Sequence, residues 1–257
     1  MDPSATHPFS DRVALVTGAS RGIGRATALR LARQGADIGL AYFRNREAAE
    51  KTAAEVEELG RRAVLLKGHL GDADRVREVA RTLVDELGAP SIVVSNAASG
   101  VLRSFDQIDE KGWDWTLDVN CRALLVLLQE LREPMARNGG GAVVALSSLG
   151  ATRVIPSYLA VGVSKAGLEA LVRYLAVELA PDNIRVNAVS AGVVDTDSLR
   201  HFPNRDDLLR AAERQTPAGR MLTPEDVAGV ISFLCSDDAS MIRGQTIVAD
   251  GGYSLGA

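Results

Sequence analysis

The sequence predicts a doubly wound α/β fold, in which a seven-stranded parallel sheet carries helices on both faces. Three observations favour it. Short runs of β-branched and other apolar residues alternate with longer segments of helical periodicity. A glycine-rich turn joins the first run to the first helical segment. The 257 residues, of which 46% are hydrophobic and 24% are charged, suit one domain spanning residues 1–257.

The predicted elements follow in a regular order. Strands are predicted at residues 13–17, 38–41, 63–67, 91–95, 142–146, 184–190 and 245–249. Helices are predicted at residues 23–34, 46–59, 72–87, 113–135 and 157–179, with a last one after residue 223. Asp72 and Thr223 are predicted helix caps. Residues 191–203 form a long irregular region after a strand end, where such sheets bind ligands.

Composition excludes several classes of protein. The 29 Lys and Arg against 33 Asp and Glu give a net charge of −4, which argues against a general nucleic-acid binder. Two cysteines and three scattered histidines provide neither a disulfide framework nor a metal site. No apolar run approaches the ~18 residues of a membrane span. We therefore expect a cytoplasmic protein that binds no membrane, no nucleic acid and no metal.

The turn after the first predicted strand reads Thr-Gly-Ala-Ser-Arg-Gly-Ile-Gly over residues 17–24. Its glycines, Gly18, Gly22 and Gly24, permit a tight turn and let a pyrophosphate approach the backbone. The helix that follows offers unpaired N–H groups and a partial positive charge. This strand, turn and helix therefore indicate nucleotide binding.

The spacing Gly-x-x-x-Gly-x-Gly resembles that of the short-chain dehydrogenase/reductase family, and the resemblance covers nearly the whole chain. It implies a Rossmann-type domain. The family's active-site asparagine, serine and lysine match Asn120, Ser148 and Lys165. The residues that the resemblance places around a nicotinamide cofactor are Gly18, Ser20, Arg21, Gly22, Ile23, Gly24, Arg44, Asn45, Leu70, Asn96, Ala97, Ala98, Lys165, Val194 and Thr196.

The end of the second predicted strand indicates which cofactor is bound. An NAD-specific site has an acidic residue there, whereas residues 41–46 contain none and the first acid is Glu47. Arg44 and Arg46, helped by Arg21, are expected to neutralise the 2′-phosphate of NADPH. The alternative is an ordinary solvated helix start.

The family's tyrosine is displaced in this chain. The signature Tyr-x-x-x-Lys places Val161 where the tyrosine belongs, and Tyr158 lies seven residues before Lys165. If one helix covers both, they share a face and lie ~10 Å apart along the axis, against ~6 Å for the usual spacing. Pro156 is close, so the alternative places Tyr158 just before the helix. A displaced donor suits an enoyl thioester, because hydride addition at its β-carbon develops charge on the thioester oxygen, two bonds away.

Residues 147–165 are similar to enoyl-acyl-carrier-protein reductases, and residues 96–103, 201–205 and 216–220 to their FabL-like, Bacillus-type, NADPH-dependent branch. The resemblance implies reduction of trans-2-enoyl thioesters in fatty-acid elongation, with a substrate linked to carrier protein or coenzyme A. Tyr158 would donate a hydrogen bond to the enolate oxygen, and Lys165 would hold the nicotinamide ribose. Many enoyl reductases have a second tyrosine ten residues before the first, where this chain has Ser148.

Two other functions stay open. One is an NADP-dependent carbonyl reductase or hydroxysteroid-type dehydrogenase, in which Tyr158 reaches the carbonyl. The other is a catalytically silent NADP-binding protein, which Val161 would permit. Ser148 is either catalytic or a loop hydroxyl bonded to the backbone. Asn120 is either catalytic or an amide that bends its helix.

Residues 192–215 are expected to form a mobile lid, with Leu199, Phe202, Leu208 and Leu209 covering an acyl chain. Arg200, Arg205, Arg210 and Arg214 would attract an acidic carrier protein, unless neighbouring acids offset them. Thr196 would bond a phosphate or cap a helix. Residues 123–128 are apolar on every face, which predicts that the helices at 113–135 and 157–179 pack against their copies in a homotetramer.

Overall fold

The computed structural model describes residues 7–202 and 205–256. Its strands form one parallel sheet in the order β3-β2-β1-β4-β5-β6-β7. These strands are β1 Val13–Thr17, β2 Asp37–Tyr42, β3 Ala63–Lys67, β4 Ile92–Ser95, β5 Gly141–Ser148, β6 Ile184–Ala191 and β7 Thr246–Ala249. The predicted seven-stranded, doubly wound α/β fold is confirmed.

Eight α-helices are found in the described ranges. They are α1 Gly22–Arg33, α2 Arg46–Glu58, α3 Ala73–Leu87, α4 Glu110–Leu117, α5 Ala123–Arg137, α6 Leu159–Glu178, α7 Arg205–Gln215 and α8 Pro224–Cys235. No helix within residues 7–202 and 205–256 is long and apolar enough to cross a membrane.

Two apolar layers cover the two faces of the sheet. Leu15 of β1 packs in the layer that contains α3, α5 and α6, whereas its neighbours Ala14 and Val16 pack in the layer that contains α1 and α8. Adjacent strand residues point to opposite faces, so a strand covered on both sides must be apolar throughout. This is why the strands read as continuous apolar runs in the sequence.

The long helix predicted at residues 113–135 is found as one helical run that contains a π-helical turn. α4 ends at Leu117, a π-helical turn occupies Asp118–Arg122, and α5 begins at Ala123. Of residues 123–128, Leu125 is 36% exposed, and the other five are buried within the chain, because the sheet and α3 already cover them. The packing of this helix against its copy in an oligomer stays a prediction.

The strand order fixes where a ligand site can form. The chain winds outward from β1 in one direction through β2 and β3, and in the other through β4 to β7. Loops after neighbouring strands on the two sides of this reversal separate and leave a crevice at the carboxyl edge of the sheet. The glycine turn follows β1, and residues 96–98 follow β4, so both border that crevice.

Candidate active site

The glycine turn between β1 and α1 is shaped to take a phosphate group. Gly18 has φ +66°, a left-handed conformation that side chains rarely adopt. A Cβ at Gly24 would overlap the carbonyl oxygen of Gly18. α1 begins at Gly22 without a side-chain cap from Arg21, so its first N–H groups can bind an anion. The turn therefore fits the pyrophosphate of a nicotinamide dinucleotide.

Asn96 locks this turn to the end of β4. Its side-chain amide donates to the carbonyl oxygens of Thr17 at 2.9 Å and Gly18 at 3.2 Å. The Thr17 hydroxyl accepts the N–H groups of Asn96 and Ala97, each at 3.0 Å. Asn96 therefore shapes the cofactor crevice through the backbone. Sequence reasoning missed Thr17, although a buried hydroxyl ending an otherwise apolar strand was a signal.

The basic residues expected near a 2′-phosphate differ in their partners. The Arg44 guanidinium lies 5.2 Å from the centroid of the Phe43 ring. Arg46 bonds Glu50 at 2.7 Å, and Arg21 bonds Asp197 at 3.1 Å. Two of the three guanidiniums are thus already paired with carboxylates, and Arg44 is the one that stacks on an aromatic ring.

Two other residues expected near the cofactor are Asn45 and Leu70. The Asn45 side chain accepts the Ala48 N–H at 3.0 Å, so it caps α2. Leu70 is half-buried in the loop after β3, at the same edge of the sheet. Asn45 therefore has a structural task that the sequence analysis did not assign to it.

Tyr158 lies directly before α6. Ser157 has φ +60°, and Tyr158 itself is non-helical with φ −104° and ψ 10°. The interpretation that one helix covers Tyr158 and Lys165 is therefore wrong, and the alternative position before the helix is the one observed. The ring lies against Gly150, where a Cβ would overlap it, and 5.5 Å from the ring of Phe202.

Ser148 and Tyr158 meet in the site. The Tyr158 hydroxyl donates to Ser148 Oγ at 3.3 Å, and the same oxygen accepts the Gly150 N–H at 3.2 Å. The serine thus has both the backbone contact and the contact with the tyrosine. Burial raises the pKa of Tyr158, and the bond to Ser148 only partly opposes this. The phenol is therefore protonated at neutral pH and able to donate.

Lys165 is buried on α6, with a side chain 4% exposed. Its Nζ donates to the carbonyl oxygen of Leu146, at the end of β5, at 2.6 Å. Burial lowers the pKa of Lys165 to about 8, and Cys121 and Glu169 oppose this effect. One helical turn earlier, Val161 is 6% exposed and packs against Gly100, which Thr116 also approaches. The usual tyrosine position is therefore filled by an apolar contact.

Asn120 lies in the π-helical turn and is 3% exposed. Its Oδ1 accepts the Ser99 N–H at 2.9 Å, and its Nδ2 donates to Ser164 Oγ at 2.9 Å. These bonds hold the turn between the loop after β4 and helix α6. These contacts give Asn120 a structural task, and its part in catalysis stays a prediction.

The segment after β6 lies against the glycine turn. Val194 forms an isolated parallel bridge with Leu222. Thr196 makes no side-chain cap to the 3₁₀ turn that follows, and its methyl group would lie 3.3 Å from a Cβ at Gly22. The Asp197 carboxylate pairs with Arg21 and Arg200, each at 3.1 Å. The capping alternative for Thr196 is therefore absent, and its side chain borders the phosphate site.

Acidic neighbours pair with three arginines of this segment. Arg205 bonds Asp195 at 2.9 Å, and Arg210 bonds Asp207 at 2.6 Å; Arg200 bonds Asp197, as above. Residues 203 and 204, which belong to one of the motifs used in the sequence analysis, lie outside the described residues. The local ion pairs offset much of the positive charge expected to attract a carrier protein.

Comparisons with known proteins agree with this geometry. A family model described as "Enoyl-(Acyl carrier protein) reductase" matches residues 18–254. The chain is 38% identical over 246 residues to 1-cyclohexenylcarbonyl-CoA reductase of Streptomyces collinus, covering 95% of this chain and 87% of that protein. The chain belongs to the short-chain dehydrogenase/reductase family. As a member of that family, it is an oxidoreductase.

Other members of the short-chain dehydrogenase/reductase family match almost as widely. Human dehydrogenase/reductase SDR family member 4 is 36% identical over 246 residues, covering 95% of this chain and 88% of that protein. A crystal structure from Sinorhizobium meliloti 1021, assigned as a short-chain alcohol dehydrogenase, has a TM-score of 0.92 at 38% identity and covers 98% and 100% of the two chains. A blue fluorescent protein from a metagenomic library, in complex with NADPH, has a TM-score of 0.88 at 28% identity and covers 96% and 99%.

Proposed function

We propose that this short-chain reductase catalyses NADPH-dependent reduction of 2-enoyl thioesters at the β-carbon, as in fatty-acid elongation. The observation that carries the proposal is the position of the phenol. The usual tyrosine position holds Val161, and Tyr158 supplies the hydroxyl from before α6, where it bonds Ser148 at 3.3 Å. This displacement suits a substrate whose developing charge lies two bonds from the carbon that receives hydride.

Each residue then has a defined task in the reaction. NADPH, when bound, supplies the hydride. The glycine turn and the α1 N-terminus hold the pyrophosphate, and the Lys165 ammonium holds the nicotinamide ribose while its charge favours the enolate. Tyr158 donates its hydroxyl proton toward the thioester oxygen, and Ser148 orients the phenol. The raised pKa of Tyr158 keeps this proton in place until charge develops.

Support for a thioester substrate comes from the relatives as well as from the site. The Streptomyces collinus protein is named as the reductase of a coenzyme A thioester whose carbonyl is attached to a ring double bond. The matching family model carries the description of an enoyl-carrier-protein reductase. Within such reductases, the FabL-like branch is the one that we propose for this chain. Because the lid arginines are largely paired, we favour recognition of the thioester itself over recognition of a carrier protein.

NADPH is the proposed cofactor because no acid ends β2. Arg44 lies just beyond the strand, stacked on Phe43. A guanidinium held in this way is suited to a 2′-phosphate. The test is the ratio of kcat/KM for NADPH and NADH, and a preference for NADH would contradict the assignment.

The function is tested by turnover with two matched thioesters. Crotonyl-CoA offers a conjugated double bond, and acetoacetyl-CoA offers a ketone on the same carrier. We expect NADPH oxidation with crotonyl-CoA at a kcat/KM at least ~100-fold above that with acetoacetyl-CoA. Repeating the assay with the crotonyl group on acyl carrier protein measures the preference for the carrier.

A carbonyl reductase is the second candidate. The dehydrogenase names of several relatives favour it, among them human dehydrogenase/reductase SDR family member 4. A preference for acetoacetyl-CoA in the same assay would support it. Tight NADPH binding without turnover of either substrate would instead indicate a silent binding protein.

A further inference from the structure

Glu169 and Ser147 make a partly buried polar contact behind the site, and neither residue has a task in the proposed reaction. Ser147 precedes Ser148 on β5 and is 7% exposed. Its hydroxyl donates to Glu169 Oε1 at 2.5 Å. The carboxylate is half-buried on α6. A partly buried carboxylate acts more strongly on a nearby charge than one in open solvent does.

The geometry places that partner on the same helix. Glu169 follows Lys165 by four residues, so the two side chains lie on one face of α6, one turn apart. Both reach the same point of β5: Lys165 donates to the carbonyl oxygen of Leu146, and Glu169 accepts from Ser147, the next residue. The strand end therefore holds the ammonium and the carboxylate on the same side of α6.

We propose that Glu169 is a positioning residue, whose carboxylate, held by Ser147, is the counter-charge that keeps the buried Lys165 ammonium protonated and directed at the cofactor. The role of Lys165, which Glu169 supports, rests on the proposed function. The role of Glu169 itself rests on the contacts of β5 and α6.

The other groups around Lys165 do not supply that charge. Cys121, from the π-helical turn, acts on Lys165 most strongly after burial itself, but burial raises the pKa of this thiol, so it is neutral when Lys165 titrates. The phenol of Tyr158 is neutral for the same reason. β5 carries no charged side chain.

The charged groups on the other elements packed against α6 are either bonded to other residues or exposed to solvent. They are Arg185 of β6, bonded to the Ser236 carbonyl oxygen at 2.9 Å, Asp182 after α6, bonded to Arg132 at 2.5 Å, Asp118 of the π-helical turn, bonded to Arg122 at 2.9 Å, and exposed Glu110, Lys111 and Asp114 of α4. Glu169 is thus the anion that acts on Lys165.

Lysine titration tests the proposal directly, because the chain has only four lysines. Lys51, Lys67 and Lys111 are exposed, and Lys165 is buried. In protein labelled with ¹³C-lysine, the buried residue is identified by the signal that Lys165→Met removes. The expected midpoint in the wild type is about 8.

Glu169→Gln keeps the acceptor for Ser147 and removes the charge. We expect the Lys165 midpoint to fall by ~1 unit or more, since an opposite charge nearby shifts a pKa by that amount. Ser147→Ala leaves the charge but releases the carboxylate, and is expected to give a smaller shift in the same direction. Glu178→Gln, which removes an exposed carboxylate from the same helix, should leave the midpoint unchanged.

Enzyme activity provides a second readout with a defined sign. Lys165 is protonated below its pKa, so kcat/KM of the wild type with crotonyl-CoA is expected to fall as the pH rises through about 8. In Glu169→Gln the same fall is expected at a lower pH. An unchanged Lys165 midpoint in Glu169→Gln, or an equal shift in Glu178→Gln, overturns the role of Glu169. Absence of wild-type turnover overturns the proposed function instead, and the lysine titration still decides the role of Glu169.

Discussion

At the scale of single residues, the proton donor is separable from the groups that bind cofactor. Tyr158→Phe removes the hydroxyl but keeps the ring against Gly150 and Phe202. We expect turnover of crotonyl-CoA to fall at least ~100-fold while the Kd for NADPH changes less than ~2-fold, because only an interaction made in the transition state is lost. Steady-state kinetics and fluorescence titration measure the two effects.

The matched control for this change is Tyr174→Phe. Tyr174 lies on α6, the helix that follows Tyr158, and is 71% exposed, so the control should leave both measurements at their wild-type values. Wild-type turnover in Tyr158→Phe would show that another group donates the proton.

Arg44 is expected to set the cofactor preference. Arg44→Ala should lower kcat/KM for NADPH by ~10-fold or more and change that for NADH little, since a charged hydrogen bond contributes about 1.5–3 kcal/mol. Arg46→Ala is the control, because Glu50 already holds that guanidinium. Equal losses with both cofactors would mean that Arg44 supports the fold and not the 2′-phosphate.

At the scale of elements, the start of α8 carries a stability prediction. Thr223 and Asp226 form a reciprocal capping box, and the Asp226 carboxylate also bonds Arg220. That bond is the largest cause of the lowered pKa of Asp226. A lowered folded-state pKa contributes stability above the ordinary pKa, and this stability is lost as pH falls through the folded value.

Asp226→Asn is therefore expected to destabilise the protein at neutral pH by about 1 kcal/mol, or roughly 2–4 °C in Tm for a chain of this size. The difference from the wild type should shrink toward pH ~3, where the unfolded state protonates its carboxylates. Thermal unfolding at both pH values measures it. Exposed Asp238 supplies the control, Asp238→Asn, and a difference that is constant with pH would contradict the charge argument.

Helices and strands that are determined by the local sequence pattern were predictable. Features that depend on contacts between residues distant in sequence were not. The strands were placed within a few residues because burial on both faces requires continuous apolar runs. The π-helical turn was missed because Asn120 is held there by Ser99 and Ser164, which are distant in sequence. Tyr158 was left between two positions because the left-handed φ of Ser157 is not visible in its residue type.

The sequence predicted which residues form the candidate site, but it predicted few of the contacts between them. Motif positions identified Ser148 and Tyr158, which meet. Two contacts depend on how β1, β4, β5 and α6 lie together. They are the hydrogen bond from the Asn96 side chain to Thr17 and the contact between Ser147 and Glu169. Only the fold supplies that information.

At the scale of the whole molecule, the outer face of α6 predicts assembly. Leu159 and Val163 are each 44% exposed, and Tyr174 and Val177 are 71% and 75% exposed. An apolar row of this kind is typical of an interface between copies. We therefore expect a homotetramer, measured by light scattering at micromolar concentration.

A double change, Tyr174→Arg with Val177→Arg, is expected to split the tetramer into smaller species without loss of the fold by circular dichroism. Leu59→Arg, at a partly exposed position after α2, should leave the assembly intact. A monomeric wild type would exclude the interface altogether.

The packing of Val161 has a consequence for how the site can be re-engineered. A methyl group added at Gly100 would have to displace the Val161 side chain, and Thr116 closes the same space. An aromatic ring at position 161 would overpack this contact, at a cost of about 1–3 kcal/mol. Introducing tyrosine by Val161→Tyr would therefore lower stability before it supplied a second donor. Engineering the site toward the usual family arrangement needs a further substitution that makes room, in addition to the tyrosine itself.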